Sequence, residues 1–196
     1  MTFAHNKSWE HFETVFNSKL PIKEAWDKII DFHEKTVPTC YWTQLRELDV
    51  ETEQQEIKEW FEQLVANDPL PQKVISIWIG IVKLLDDNDN KVNAIYLTGA
   101  DSYDKDDIEW ATEPTYEPEN KYGVLDILNQ IENIIKEDPK NYSFLDWILP
   151  LAYCSLTIDE IVRRKLDPSI FLKSQKKLFV TTGHDSGDYM NLSPIE

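Results

Sequence analysis

VISIWIGIVKL (Val74–Leu84), DDNDN (Asp86–Asn90) and VNAIYLT (Val92–Thr98) are the three consecutive segments that decide the fold of this chain. The first is almost entirely apolar and rich in β-branched residues, as expected for a strand that is buried on both faces. Asn and Asp tolerate left-handed backbone and close local turns, so the second segment predicts a reversal of the chain. Together the three segments predict a long antiparallel β-hairpin.

Helical periodicity flanks this hairpin on both sides. Apolar residues recur at i, i+3, i+4 and i+7, which is the spacing of a helix that buries one face. The segments with this pattern are Trp9–Phe16, Ile22–His33, Val50–Ala66, Val124–Ile135 and Tyr142–Lys165. Three helices are therefore predicted before the hairpin and two after it.

The last third of the chain adds two signals. Pro150 lies inside the final helical segment and predicts a kink or a break, after which Thr157 and Glu160 would form a capping box. Leu178–Thr182 and Asp188–Leu192 are predicted as two short strands. The whole chain of 196 residues is thus predicted to be a single α+β domain. It has N-terminal helices, a central antiparallel β-hairpin, C-terminal helices and a short terminal hairpin completing one antiparallel sheet.

The charge of the chain limits the partners that it can bind. Asp and Glu number 36 against 20 Lys and Arg, which gives a formal net charge of −16. Nucleic acids and anionic membrane surfaces are themselves negative, so neither is expected as a partner. A basic protein is favoured, because complementary electric fields accelerate its encounter with an acidic one. Alternatively, the acidity serves only to keep the protein soluble.

Other features of the composition predict a cytoplasmic protein. The N-terminus shows no basic segment followed by an apolar run, so no signal peptide is evident, and no apolar run approaches the roughly 18 residues of a membrane span. Cys40 and Cys154 lie among apolar or aromatic residues, without a CxxC pair. We expect both to be buried, reduced thiols. The sequence does not determine the oligomeric state.

Sequence motifs for catalysis are missing. There is no GxSxG elbow, P-loop, dinucleotide-binding glycine pattern or HExxH pair, so we expect neither an enzyme nor a cofactor. The strongest exception is the His184–Asp188 turn, where His184, Asp185 and Asp188 could hold a divalent ion or act as an acid and base. A turn that needs Asp and Gly only for its geometry is the simpler interpretation. The acidic residues between 101 and 107 lack the spacing of an EF-hand.

The segment from Gly99 to Tyr122 has no periodicity and resembles an interaction surface most closely. Residues 86–119 contain eleven acidic residues and two lysines, a local net charge of −9 out of −16 for the chain. Aromatic residues alternate with these acids, and Tyr and Trp often carry the energy of protein interfaces. The predicted partner-binding residues are Asp101, Tyr103, Asp104, Asp106, Asp107, Glu109, Trp110 and Tyr116. Equally compatible is a loop in which Trp110 and Tyr116 fold inward and only the acids face water.

Five short phrases resemble bacterial proteins of polymorphic or contact-dependent toxin systems. They are GADSYD (Gly99–Asp104), EWA (Glu109–Ala111), PENKY (Pro118–Tyr122), PLAY (Pro150–Tyr153) and DSGD (Asp185–Asp188). This resemblance extends over roughly Ile77 to Leu192 and does not include the N-terminal helices. It implies an immunity role, in which the protein binds and neutralises a cognate toxin made by the same cell. It implies no catalytic residues.

The sequence is therefore compatible with three functions. The first is a non-enzymatic immunity protein that neutralises a cognate toxin, predicted to be basic, through the acidic and aromatic surface. The second is a small divalent-metal-binding protein or enzyme that uses the His184–Asp188 turn. The third is an acidic regulatory scaffold with a different basic partner.

Overall fold

The computed structural model describes residues 2–85, 88–173, 175–185 and 187–196. Within these residues, seven α-helices accompany five β-strands, so the predicted α+β class is confirmed. The helices are α1 (His5–Asn17), α2 (Ile22–Thr36), α3 (Tyr41–Arg46), α4 (Val50–Asn67), α5 (Asp126–Ile135), α6 (Tyr142–Arg164) and α7 (Pro168–Phe171). The strands are β1 (Ser76–Leu85), β2 (Lys91–Ala100), β3 (Tyr122–Val124), β4 (Phe179–His184) and β5 (Tyr189–Asn191).

The five strands form one sheet in the order β3-β2-β1-β4-β5. The predicted central hairpin is present, with β1 and β2 antiparallel from the Ser76↔Ala100 pair to the Leu85↔Lys91 pair. Of the turn that joins them, Asp86 and Asp87 lie outside the described residues. The predicted terminal hairpin, β4 and β5, also joins this sheet and pairs antiparallel.

The expectation of an entirely antiparallel sheet is wrong at one pairing. Strand β4 runs parallel to β1, from the Ser76↔Phe179 pair to the Ile81↔His184 pair. Parallel neighbours need a long crossover connection, and here β2, β3 and the helices α5 to α7 intervene between them. The sheet is therefore mixed, with β4 added by this crossover to the far edge of the central hairpin.

Helix α6 passes through the centre of the molecule. Every residue from Ile148 to Ile161 is buried, because α6 packs against α1, α2, α4 and α5 as well as against β1 and β4. The helix continues through Pro150, so the predicted break and the Thr157–Glu160 capping box do not occur. Burial on all sides stabilises this segment enough to tolerate the backbone hydrogen bond that proline cannot make.

Several buried carboxylates stabilise the starts of other elements. Glu53 of α4 accepts a hydrogen bond from the backbone N–H of Ile127, in the first turn of α5, at 2.9 Å. Glu160 of α6 accepts one at 2.7 Å from the N–H of Ile22, the first residue of α2. The first N–H groups of a helix have no partner within the helix, and the helix dipole favours a negative charge there. These contacts tie α4, α5, α6 and α2 together.

The two cysteines differ in exposure, and one histidine is buried. Cys154 is buried as predicted, but Cys40 is exposed, because it precedes α3 and its aromatic neighbours Tyr41 and Trp42 take the buried positions. His33 is completely buried and lies within hydrogen-bonding distance of the Ser8 hydroxyl and the Ile29 carbonyl. Among the described residues, no helix combines the length and the apolar character needed to cross a membrane.

Candidate interaction site

The two faces of the sheet differ in their cover. Ile77, Ile79 and Leu97 point to the helices and belong to the main core. On the second face, strand pairing aligns Tyr96 with Gly80 on one side and with Tyr122 on the other. Part of this second face is covered by the segment of the chain between β2 and β3, which includes the short 3-10 helix Ile108–Ala111.

Two glycines allow large aromatic side chains to lie flat on this second face. A Cβ atom on Gly80 would lie 2.1 Å from Cε1 of Tyr96, and one on Gly183 would lie 2.8 Å from Cη2 of Trp78. Any side chain at either glycine would therefore displace a ring. The aromatic surface depends on glycines in the middle of two strands, where glycine otherwise weakens a strand.

The segment between β2 and β3, which we call the acidic loop (residues 101–119), is held firmly on this face. Tyr103 stacks on Phe179 of β4, with ring centroids 4.1 Å apart and planes within 1°. Trp110 packs against Trp78 and donates its indole N–H to the Asp104 carbonyl at 3.0 Å. These contacts form a second, smaller hydrophobic cluster under the loop.

Backbone contacts fix both ends of the acidic loop. Ser76 donates its hydroxyl to the Ser102 carbonyl at 2.6 Å. At the other end, the N–H of Gly99 donates to the carbonyl of Tyr116 at 2.9 Å, and the N–H of Tyr116 donates back at 3.0 Å. Between them, the side-chain amide of Asn191 donates from Nδ2 to the backbone carbonyl of Lys105 at 2.9 Å. The loop has little regular structure, yet its path is defined by contacts to three strands.

The aromatic residues predicted to contact a partner divide into two groups. Trp110 is 9% exposed and Tyr116 is 5% exposed, and the hydroxyl of Tyr116 donates to the Asp68 carbonyl. Of the two alternatives for these residues, the structure shows the inward-folded one and not exposed surface anchors, because their rings fill the space between the loop and the body of the protein. Tyr103 is half-buried in its stack on Phe179.

The predicted acidic residues, by contrast, all face solvent: Asp101, Asp104, Asp106, Asp107 and Glu109. Asp104 accepts the N–H of Asp106 and Asp107 accepts the N–H of Glu109, each at 2.9 Å. These bonds shape the loop and leave the charges in place. Within the part of the chain that the structure describes, the ion pairs of loop acids are Lys105–Asp106, at 3.9 Å between largely exposed groups, and Lys121–Glu117. The loop therefore presents negative charge that the protein itself barely neutralises.

A groove lies between the acidic loop and the open half of the second face. Its volume is about 650 Å³. Trp78 and Tyr96 form its floor, Tyr122 of the edge strand β3 forms one side, and Ile108 and Pro114 of the loop form another. The hydroxyl of Tyr96 accepts the indole N–H of Trp78 at 3.0 Å. This groove was not predicted, although strand glycines opposite aromatic residues are a signal that could have revealed it.

Polar groups at the rim of this groove hold its floor in place. The hydroxyl of Tyr96 donates to the carboxylate of Asp185 at 2.6 Å. Burial, and then this hydrogen bond, raise the pKa of Tyr96 above the usual value for tyrosine. Tyr96 therefore stays neutral and acts as a donor to Asp185 at physiological pH.

In the described part of the His184–Asp188 turn, the polar side chains are hydrogen-bonded to other groups of the protein. His184 donates to the Trp147 carbonyl at 2.9 Å, Asp185 accepts from Tyr96, and Asp188 accepts the indole N–H of Trp147 at 2.8 Å. Ser186 of this turn lies outside the described residues. Across residues 2–85, 88–173, 175–185 and 187–196, no three His, Cys, Asp or Glu side chains group in a way that could hold a metal. The geometry thus does not favour the metal-dependent alternative.

Comparison with known proteins identifies no relative: no family model matches the chain, and neither the curated proteins nor the solved structures contain a significant match.

Proposed function

We propose that this chain is a non-enzymatic immunity protein that binds a basic toxin of the same cell through the acidic loop and acts in the cytoplasm. The observation that carries the proposal is a loop whose backbone is fixed by the sheet while its exposed carboxylates have almost no internal counter-charge. The resemblance of the segment 77–192 to toxin-system proteins supplies the class of partner.

Physical chemistry supports a positively charged protein as the partner. Like charges crowded on one loop repel each other, and a partner rich in Lys and Arg relieves this repulsion when it binds. The loop is already ordered by Trp110 and Tyr103, so little conformational entropy is lost on binding. A fixed surface of this kind favours rapid capture of the toxin.

The first test of the proposal is genetic. We expect the reading frame immediately upstream to encode a large secreted protein with a toxic C-terminal domain. Cells that produce that domain should survive when this chain is co-expressed. Absence of such a reading frame, or death of the cells despite ample soluble protein, would contradict the proposal.

Matched variants locate the inhibitory surface. The triple variant Asp101→Lys, Asp106→Lys and Glu109→Lys reverses three exposed loop charges and should abolish protection. The control triple variant Glu10→Lys, Glu13→Lys and Glu56→Lys makes the same change of net charge at exposed positions of α1 and α4. It should protect as well as the native chain. Equal loss of protection in both would show that the net charge matters and not the loop.

A further inference from the structure

The groove beside the acidic loop already holds one positively charged group of the protein itself. Lys121, the residue before β3, places its ammonium 5.7 Å from the ring centre of Tyr96 and 5.5 Å from that of Tyr122. The same ammonium donates to the Glu117 carboxylate at 2.5 Å. Two aromatic rings and a carboxylate therefore form a seat for a cation.

The form of this seat suits a guanidinium better than an ammonium. The rings of Tyr96 and Tyr122 have centroids 5.8 Å apart and are tilted by 58°, and Glu117 is half exposed beside them. A planar guanidinium stacks on one ring and binds a carboxylate with two parallel hydrogen bonds, whereas an ammonium offers a single point of charge. Lys121 fills the seat with the poorer of the two groups.

The size of the groove and the charges around it indicate which kind of molecule would supply a cation to this site. The volume of the groove, about 650 Å³, exceeds that of one side chain and is in the range of small-ligand sites, so the groove has room for more of a partner than a single residue. Exposed acids of the loop, Glu109 and Glu113, lie next to the loop residues that line it. Negative charge around an apolar floor is complementary to a peptide segment with several basic residues.

We infer that the groove seats an arginine side chain from an extended basic segment of the protein partner, and that this arginine displaces the ammonium of Lys121 from Tyr96, Tyr122 and Glu117. The inference rests on the proposed function and specifies how the partner is recognised. In the free protein the ammonium of Lys121 occupies this site, and it competes with the incoming arginine for the two rings and the carboxylate. The acidic loop attracts the basic segment, and the groove selects arginine within it.

A peptide experiment tests this seat without the toxin. The probe is a hexa-arginine peptide, titrated into the full chain by calorimetry at low salt, with hexa-citrulline as the uncharged peptide of the same shape. Tyr122 is 47% exposed, so Tyr122→Ser should leave the fold intact and weaken hexa-arginine binding about 5- to 10-fold. Tyr122→Phe keeps the ring and should bind like the native chain.

The control for Tyr122 lies on the same strand. Val124 is 58% exposed and belongs to the same face of β3 but not to the groove. Val124→Ser should change hexa-arginine affinity by less than about 2-fold. Equal effects of Tyr122→Ser and Val124→Ser, or no binding of hexa-arginine at all, would overturn the inference.

Lys121 gives the sharper test, because its removal should improve binding. Lys121→Met frees the seat and should raise hexa-arginine affinity about 5-fold. Lys140→Met removes the same charge at the exposed turn before α6, so any general effect of charge appears there as well. An equal increase in both variants would overturn the displacement of Lys121.

The further inference and the proposed function fail in different experiments. If these peptide tests fail while the loop triple variant still loses protection, the inference is wrong and the proposed function stands. If the native chain does not protect cells that produce the toxic domain, the proposed function itself is rejected.

Discussion

The carboxylates of this molecule include two sets, one buried in the body of the protein and one exposed on the acidic loop. Glu53, Glu132, Asp159 and Glu160 are buried, and each binds a cation or a backbone N–H from outside its own helix. The acids of the loop are exposed and bind mainly their own backbone. Partners within the protein compensate the charges of the first set, whereas the charges of the second set are compensated mainly by solvent.

This difference shows where the excess charge is available to another molecule. Asp159, for example, accepts Lys19, Arg163 and the N–H of Ser193, so its charge is used inside the fold. The loop fixes the positions of its acids by burying aromatic rings beneath them, and not by pairing the acids. Removing a buried carboxylate should therefore damage stability, and removing a loop carboxylate should damage binding.

The largest effect on stability is expected from Asp159→Ala. The substitution leaves Lys19 and Arg163 without their common partner and the N–H of Ser193 without an acceptor. Loss of one member of a buried charged group costs about 3 kcal/mol of unfolding free energy. Urea unfolding followed by tryptophan fluorescence measures this cost. A loss below about 1 kcal/mol would mean that Asp159 contributes no more than a surface acid.

A somewhat smaller effect is expected from acid pH, and it involves Glu132. Although burial acts in the opposite direction, hydrogen bonds from Asn93 and Lys136 and the charge of Lys83 lower the pKa of Glu132 from 4.5 to about 2. Since the folded pKa is lower than the unfolded one, this carboxylate stabilises the fold above pH 4.5. That stability is lost as the pH falls towards 2.

The native chain should lose about 2 kcal/mol of stability from Glu132 over this interval, because the partly exposed lysines around it are screened by solvent. Glu132→Gln should be less stable at pH 7 and should depend less steeply on pH between 5 and 2. Urea midpoints at several pH values measure both slopes. Parallel slopes for native chain and variant would contradict this role of Glu132.

The smallest effect is expected from Asp106→Ala in the acidic loop. Asp106 is 81% exposed, and its nearest cation, Lys105 at 3.9 Å, is similarly exposed. The melting temperature should change by about 2 °C or less, because surface pairs of this kind contribute little. Differential scanning calorimetry provides the measurement. A decrease of 5 °C or more would show that the loop acids stabilise the fold, and the distinction between the two sets would fail.

The sequence predicted the parts of the fold that depend on local pattern. Apolar periodicity located α1, α2, α4 and α5 to within a few residues, and β-branched runs located the central hairpin. The direction of β4 depends on a distant pairing with β1, which no local pattern encodes. Pro150 was predicted to disturb α6, but complete burial of the segment around it outweighs the local preference.

The candidate site was predicted in its charge and only partly in its geometry. Exposure of the acids follows from their type, since unpaired carboxylates are seldom buried. The inward orientation of Trp110 and Tyr116 depends on Trp78 and Asp68, which lie far away in the sequence. The groove joins residues of β1, β2 and β3 with the loop, so its existence requires the strand register that the sequence did not supply.

The most direct test of the central claim is the rate at which the chain associates with the toxic domain encoded beside it, measured by stopped flow over a range of salt concentrations. We expect the loop triple variant (Asp101→Lys, Asp106→Lys and Glu109→Lys) to associate at least 10-fold more slowly than the native chain at low salt, with a weaker salt dependence. The control triple variant on α1 and α4 should stay within about 3-fold of the native rate. Native rates and native salt dependence in the loop variant would contradict the claim that these exposed carboxylates receive a basic partner.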